Sequence, residues 1–135
     1  MRINASYINF SSTTRTYYRG NISIEEILND NDIMTKYSEY DTVNKRPLLT
    51  NTYSDIGEIL SEQKFDYFEN GFTENYKSQT QEYTRTVTNQ IKENLKHRIE
   101  KYVSKTNPSQ NYIHETIHDF SNKLLQFLCN GKKIL

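Results

Sequence analysis

Five consecutive residues, His114-Glu115-Thr116-Ile117-His118, have a spacing with a defined chemistry. On an α-helix, residues four apart share a face, so His114 and His118 would aim two imidazoles at one metal ion while Glu115 activates a metal-bound water. A catalytic zinc centre also needs a third protein ligand. The seventeen residues after His118 hold no His or Glu and offer only Asp119 and Cys129 as donors. His97 is the one other histidine of the chain, and no periodicity brings it to the pair.

By pattern, these five residues resemble zinc metallopeptidases. The resemblance implies zinc as cofactor, His114 and His118 as ligands and Glu115 as general base. Leu124 stands where the longer metzincin motif carries its third histidine. The element that must position the motif weighs against it as well. Residues 109–129 place Ile113, Ile117, Phe120, Leu124, Phe127 and Leu128 at the alternating spacing of a core-facing helical stripe. On that helix both histidines and Glu115 face nearly away from the stripe. A working zinc site is walled and partly dry, so the sequence favours solvent-facing His and Glu, with no catalytic residue and no metal ligand. A minimal zinc-dependent hydrolase is the alternative.

Arg15-Thr16-Tyr17-Tyr18-Arg19 is the second group of interest. As a strand it puts Arg15, Tyr17 and Arg19 on one face. Arginine beside an exposed aromatic ring can grip phosphate and stack a base. The same residue types are the enriched anchors of protein interfaces, and they also suit a half-buried edge strand. Overall charge helps to choose: 17 basic and 17 acidic residues give a net charge of zero, so no overall field draws a polyanion. A protein partner is expected, with nucleic acid as the second alternative and Arg15, Tyr17, Tyr18 and Arg19 as the interaction residues.

The chain is 34% hydrophobic with a mean hydropathy of -0.89, low for a domain of 135 residues. Eleven Tyr and six Phe supply large side chains that bury considerable area. Cys129 is the lone cysteine and cannot form an intramolecular disulfide. The N-terminal residues lack the apolar run of a signal peptide, and no apolar stretch approaches 18 residues. These features read as cytoplasmic, without a membrane segment. Abundant Asn, Lys, Ile and Tyr beside a single Ala read as an A/T-rich coding sequence, such as that of a phage, plasmid or other mobile element.

Along the chain, Arg2–Phe10 partly alternates and Thr13–Arg19 is rich in Thr and Tyr, which suggests a β-hairpin with Gly20-Asn21 closing it. Ser23 and Glu26 have capping-box spacing, so a helix is expected to start at Ser23. Tyr83, Val87, Ile91, Leu95, Ile99 and Val103 recur at every fourth residue without an intervening Gly or Pro. A four-residue repeat overshoots the 3.6-residue turn, so the stripe would rotate by about 40° per step along one long helix. Asn70-Gly71 and Asn130-Gly131 read as helix stops.

The expected fold is therefore α+β and mainly helical. An N-terminal hairpin packs on a bundle of helices at about residues 23–38, 53–69, 73–105 and 109–129. The chain reads as one domain, with an acidic half at 1–71 (7 Lys/Arg against 11 Asp/Glu) and a basic half at 72–135 (10 against 6). The expected function is that of a small non-enzymatic interaction, inhibitor or accessory protein.

Overall fold

A computed structural model describes residues 12–134, and it overturns the helical expectation. Among the described residues there is no α-helix; one 3₁₀ turn, Pro108–Gln110, interrupts a succession of eleven strands. These are β1 (Thr13–Arg19), β2 (Ile22–Leu28), β3 (Met34–Asp41), β4 (Arg46–Tyr53), β5 (Ile59–Phe68), β6 (Gly71–Ser78), β7 (Glu82–Lys92), β8 (Leu95–Ser104), β9 (Tyr112–His118), β10 (Leu124–Cys129) and β11 (Lys132–Lys133). The segments expected as helices are strands instead: 23–38 falls in β2 and β3, 53–69 at the end of β4 and in β5, 73–105 in β6, β7 and β8, and 109–129 in the 3₁₀ turn, β9 and β10. The expected strand over Arg2–Phe10 lies outside the described residues.

The chain divides into two compact units, Met1–Lys64 and Phe65–Leu135, with the boundary inside β5. In the first, β1 to β5 lie in chain order, each antiparallel to the one before. In the second, β6 to β11 do the same.

Local chemistry explains the strands. Thr84-Arg85-Thr86-Val87-Thr88 in β7 is a β-branched run suited to a pleated surface. The repeat from Tyr83 to Val103 obeys a period of two as well as four. Its first three members occupy one face of β7, and its last three occupy one face of β8. Between them Glu93 and Asn94 both take positive φ (54° and 62°), the type I′ geometry that matches strand twist. Asn130-Gly131 does likewise (53° and 80°), so it closes a hairpin rather than a helix. Gly20-Asn21 joins β1 to β2, and the partner of β1 is thus the segment expected to begin a helix at Ser23.

Three longer turns share one design. Asn29, Ser54 and Asp119 each accept two backbone N–H bonds through the side chain, at the second and fourth residues onward. The residue three along in each, Asp32, Gly57 or Asn122, has positive φ. This is a type I turn followed by a left-handed residue, a common hairpin connection.

Little apolar surface is fully buried. Among the described residues, the buried hydrophobic ones are Ile24 and Leu28 in the first unit and Val87 in the second. In each unit they lie on one face of the strands. In the second unit the buried polar residues, Glu74 and Ser104, share the face of Val87. That face carries the chemistry described next.

Candidate functional site

In the second unit a line of aromatic rings crosses five strands. Tyr76 of β6 stacks on Tyr83 of β7 at 5.1 Å, Tyr83 meets Tyr102 of β8 at 4.9 Å, and Tyr102 stacks on Tyr112 of β9 at 5.2 Å. His114 continues the line 4.1 Å from Tyr112, and Phe127 of β10 ends it with an edge contact to His114 at 5.3 Å. The register dictates this: Tyr76 is paired directly with Tyr83, and Tyr102 with Tyr112. Such cross-strand pairs each contribute roughly 0.2–1 kcal/mol, and with so few buried aliphatic residues they stand in for part of a core.

Carboxylates and guanidinium groups weave through this line. Glu74 accepts from Tyr83 Oη at 3.1 Å and pairs with Arg85 Nε at 2.8 Å. Arg85 reaches on to Glu100 at 3.5 Å, and Glu100 accepts from Tyr112 Oη at 2.5 Å. Arg85 also lies over the Phe72 ring, 5.3 Å from its centroid.

The first unit repeats the theme. Arg15 pairs with Glu26 at 3.0 Å, and Tyr17 Oη donates to Glu26 at 3.1 Å. Arg19 reaches Glu39 at 3.3 Å, and Tyr37 Oη donates to Glu39 at 2.6 Å. In every case a glutamate accepts from a tyrosine and an arginine that strand alternation and register bring to the same face.

These partners raise the phenols. The hydrogen bond to Glu39 and partial burial push Tyr37 up to about 12. Burial, with the Glu74 charge, does the same for Tyr83, and burial with the Glu100 hydrogen bond does so for Tyr112, both to about 12. A phenol raised on folding contributes stability that is fully present below the unfolded value near 10 and is lost as pH rises toward 12. Ultraviolet titration of the folded protein is therefore expected to show a tyrosine fraction that ionises only near pH 12. In denaturant all phenols should titrate together near 10, and the folded state should weaken between those two pH values. A single folded-state transition near 10 would refute the network.

The residues singled out in the sequence fare differently. Arg15, Tyr17 and Arg19 share one face of β1, as the strand alternation predicts, and Tyr18 occupies the other. All seven residues of β1 are exposed, with Tyr18 at 70% and Tyr17 at 44%. Tyr17 is paired across from the buried Ile24, so it also covers part of the small core.

The zinc-motif geometry is not formed. His114 to His118 is part of β9, where four residues span about 13 Å, far beyond the separation of two ligands on one ion. Alternation also sends Glu115 to the opposite face, where it meets His97 Nδ1 at 3.1 Å. His97, which periodicity gave no reason to place, is thus a neighbour of the glutamate and not of the other histidines. Cys129 is half-buried in β10. Among the described residues no group of three or more His, Cys, Asp or Glu converges in a metal-holding arrangement.

Glu74, Arg85 and Glu100 escaped the sequence reading, because their relation depends on strand register and no local spacing announces it. No family model matches the chain, and comparison with curated proteins and with solved structures finds no match.

Proposed function

We propose that the protein is a non-enzymatic interaction module, acting as an accessory or inhibitor protein that engages a protein partner through β1. The observation that carries this reading is the exposure of every residue of β1, Tyr18 foremost at 70%. A strand held in register by β2 presents Tyr18 on one face and Arg15, Tyr17 and Arg19 on the other at fixed positions. Rigid aromatic anchors flanked by arginine are the residue types that dominate binding energy at protein interfaces.

Charge pairing favours protein over nucleic acid. The guanidinium groups of Arg15 and Arg19 already face Glu26 and Glu39, so a phosphate would compete with resident carboxylates and meet their repulsion. Side-chain exposures of 59% and 64% leave both arginines room for one more directional contact.

The test is a photo-crosslinking amino acid placed at Tyr18, with a second copy carrying it at Ser109 as control, in cells of the native host. The expected result is a discrete protein adduct at position 18, absent at 109 and competed away by excess unlabelled protein. Adducts to nucleic acid alone, or identical patterns at the two positions, would sink the reading.

A further inference from the structure

The aromatic line of the second unit holds four tyrosines as two register-paired stacks. Tyr76 and Tyr83 face each other at 5.1 Å with their planes 15° apart, and Tyr102 and Tyr112 do so at 5.2 Å with their planes 1° apart. Each stack contains one phenol that donates to a carboxylate, Tyr83 to Glu74 at 3.1 Å and Tyr112 to Glu100 at 2.5 Å. Arg85 pairs with both glutamates, which ties the two acceptors into one network. All four tyrosines are half-buried, and none is sealed from solvent.

This arrangement suits one-electron chemistry. Loss of an electron turns a phenol into a strong acid, and a base within hydrogen-bond reach can take the proton in the same event, so no cationic radical has to form. A second ring held against the first then makes coupling intramolecular, an advantage equivalent to about 10⁵–10⁸ M in well-aligned systems. Tyr17 and Tyr37 supply the contrast. Both donate to glutamate, yet among the described residues neither ring is stacked on another tyrosine. Tyr83 and Tyr102 also touch, at 4.9 Å, but Tyr83 is paired with Ser104 and Tyr102 with Arg85, so they start from offset, more distant backbone positions.

We infer that the two stacks are sites of oxidative tyrosine cross-linking, in which a one-electron oxidant joins Tyr76 to Tyr83 and Tyr102 to Tyr112 while Glu74 and Glu100 take phenol protons. In each stack both phenols give one electron to the oxidant and one proton away, the hydrogen-bonded phenol to its glutamate and the other to water. The two phenoxyl radicals join ortho carbon to ortho carbon. The hydrogen on each joined carbon then passes through water to the phenol oxygen, which restores both aromatic rings. In sum one C–C bond replaces two C–H bonds, two protons reach solvent and two equivalents of oxidant are reduced. The product is a covalent staple of β6 to β7 and of β8 to β9, which fixes register in a unit with little buried apolar surface.

The experiment is oxidation of the dilute full chain by photoexcited tris(bipyridine)ruthenium with persulfate, followed by dityrosine fluorescence, a denaturing gel and peptide mass mapping. The folded protein is expected to gain dityrosine emission, to stay monomeric on the gel, and to yield the Tyr76 to Tyr83 and Tyr102 to Tyr112 links. Tyr76→Phe should lose the first link and keep the second, and Tyr102→Phe should do the reverse. Phenylalanine retains the stacking ring, and circular dichroism checks that each variant folds. Glu100→Gln should lower the yield of the Tyr102 to Tyr112 link relative to the other. Urea should lower that yield too, because it removes the register that brings the two rings together.

Oxidant spent on Cys129 or other side chains while the tyrosines stay unlinked overturns the inference. So do links that mainly join separate chains, that map to other tyrosines, or that form equally well in urea. An unchanged ratio of the two links in folded Glu100→Gln does the same.

Discussion

Replacing Glu74 with alanine is expected to lower the stability of the second unit by about 3 kcal/mol, against less than about 1 kcal/mol for Glu26→Ala in the first. Both glutamates accept from a tyrosine and pair with an arginine, so their local chemistry is nearly the same. Burial separates them. The Glu74 side chain is 5% exposed and its Arg85 partner 28%, whereas Glu26 is 16% exposed and its Arg15 partner 59%. Removing Glu74 takes from half-buried Arg85 its shortest ion pair and from the Tyr83 hydroxyl its acceptor, with the longer Glu100 contact in partial compensation. Arg15, once released, simply hydrates. Urea unfolding should show the larger midpoint shift for Glu74→Ala, with faster hydrogen exchange in β6 and β7. Equal shifts for the two variants would mean that burial of the pair is not what holds this face together.

That comparison also marks what was legible in the sequence and what was not. The strand character of Thr13–Arg19, the shared face of Arg15, Tyr17 and Arg19, and the Gly20-Asn21 turn could all be read locally, because strand alternation and turn chemistry act over a few residues. The expected helices were misread because periodicity and capping signals are shared between helix and strand. Apolar residues four apart satisfy a period of two without drift, whereas on a helix they drift by about 40° per step. The repeat from Tyr83 to Val103 held its spacing strictly, which is the behaviour of a strand face. Capping chemistry is equally two-sided: Asn-Gly ends helices and also closes type I′ hairpins. Ser23 and Glu26 have capping-box spacing, yet in β2 they fall on opposite faces.

The candidate site shows the same division between local and non-local information. HExxH brings its two histidines to one ion on a helix, and in β9 the strand rise sets them apart. No spacing in the chain announces that Glu74, eleven residues from Arg85, will sit directly across from it. Register is set by the sum of turn lengths and side-chain alternation over two strands. A shift of one residue would send Glu74 to the opposite face and leave Arg85 on this one.

Gly71→Ala is expected to be as damaging, through a different mechanism. Gly71 opens β6 directly across from Thr88, and a Cβ built on it would lie 1.8 Å from the Val87 carbonyl oxygen and 2.9 Å from the carbonyl carbon. Both atoms belong to backbone, so no side chain can rotate away; β7 must move. Gly71 does not have the positive φ of Gly20, Gly57 and Gly131, which makes it a glycine required for close approach and not for chain reversal. Moving β7 displaces Val87, the buried apolar residue of the second unit, and two residues away it pulls Arg85 from Glu74. A loss of about 3 kcal/mol is expected, at the upper end for an added methyl because the strain and the broken ion pair coincide. Gly20→Ala is the control. Its φ of +61° costs an alanine about 1 kcal/mol, but nothing lies within 4 Å of the new methyl, so the sheet need not move. Ultraviolet titration separates the two variants further. Gly71→Ala should let the phenol of Tyr83 ionise closer to 10 as its Glu74 partner is displaced, while Gly20→Ala should leave Tyr83 near 12. If Gly71→Ala proves no more costly than Gly20→Ala, the close approach of β6 and β7 is wrong, and the placement of Glu74 against Arg85 fails with it.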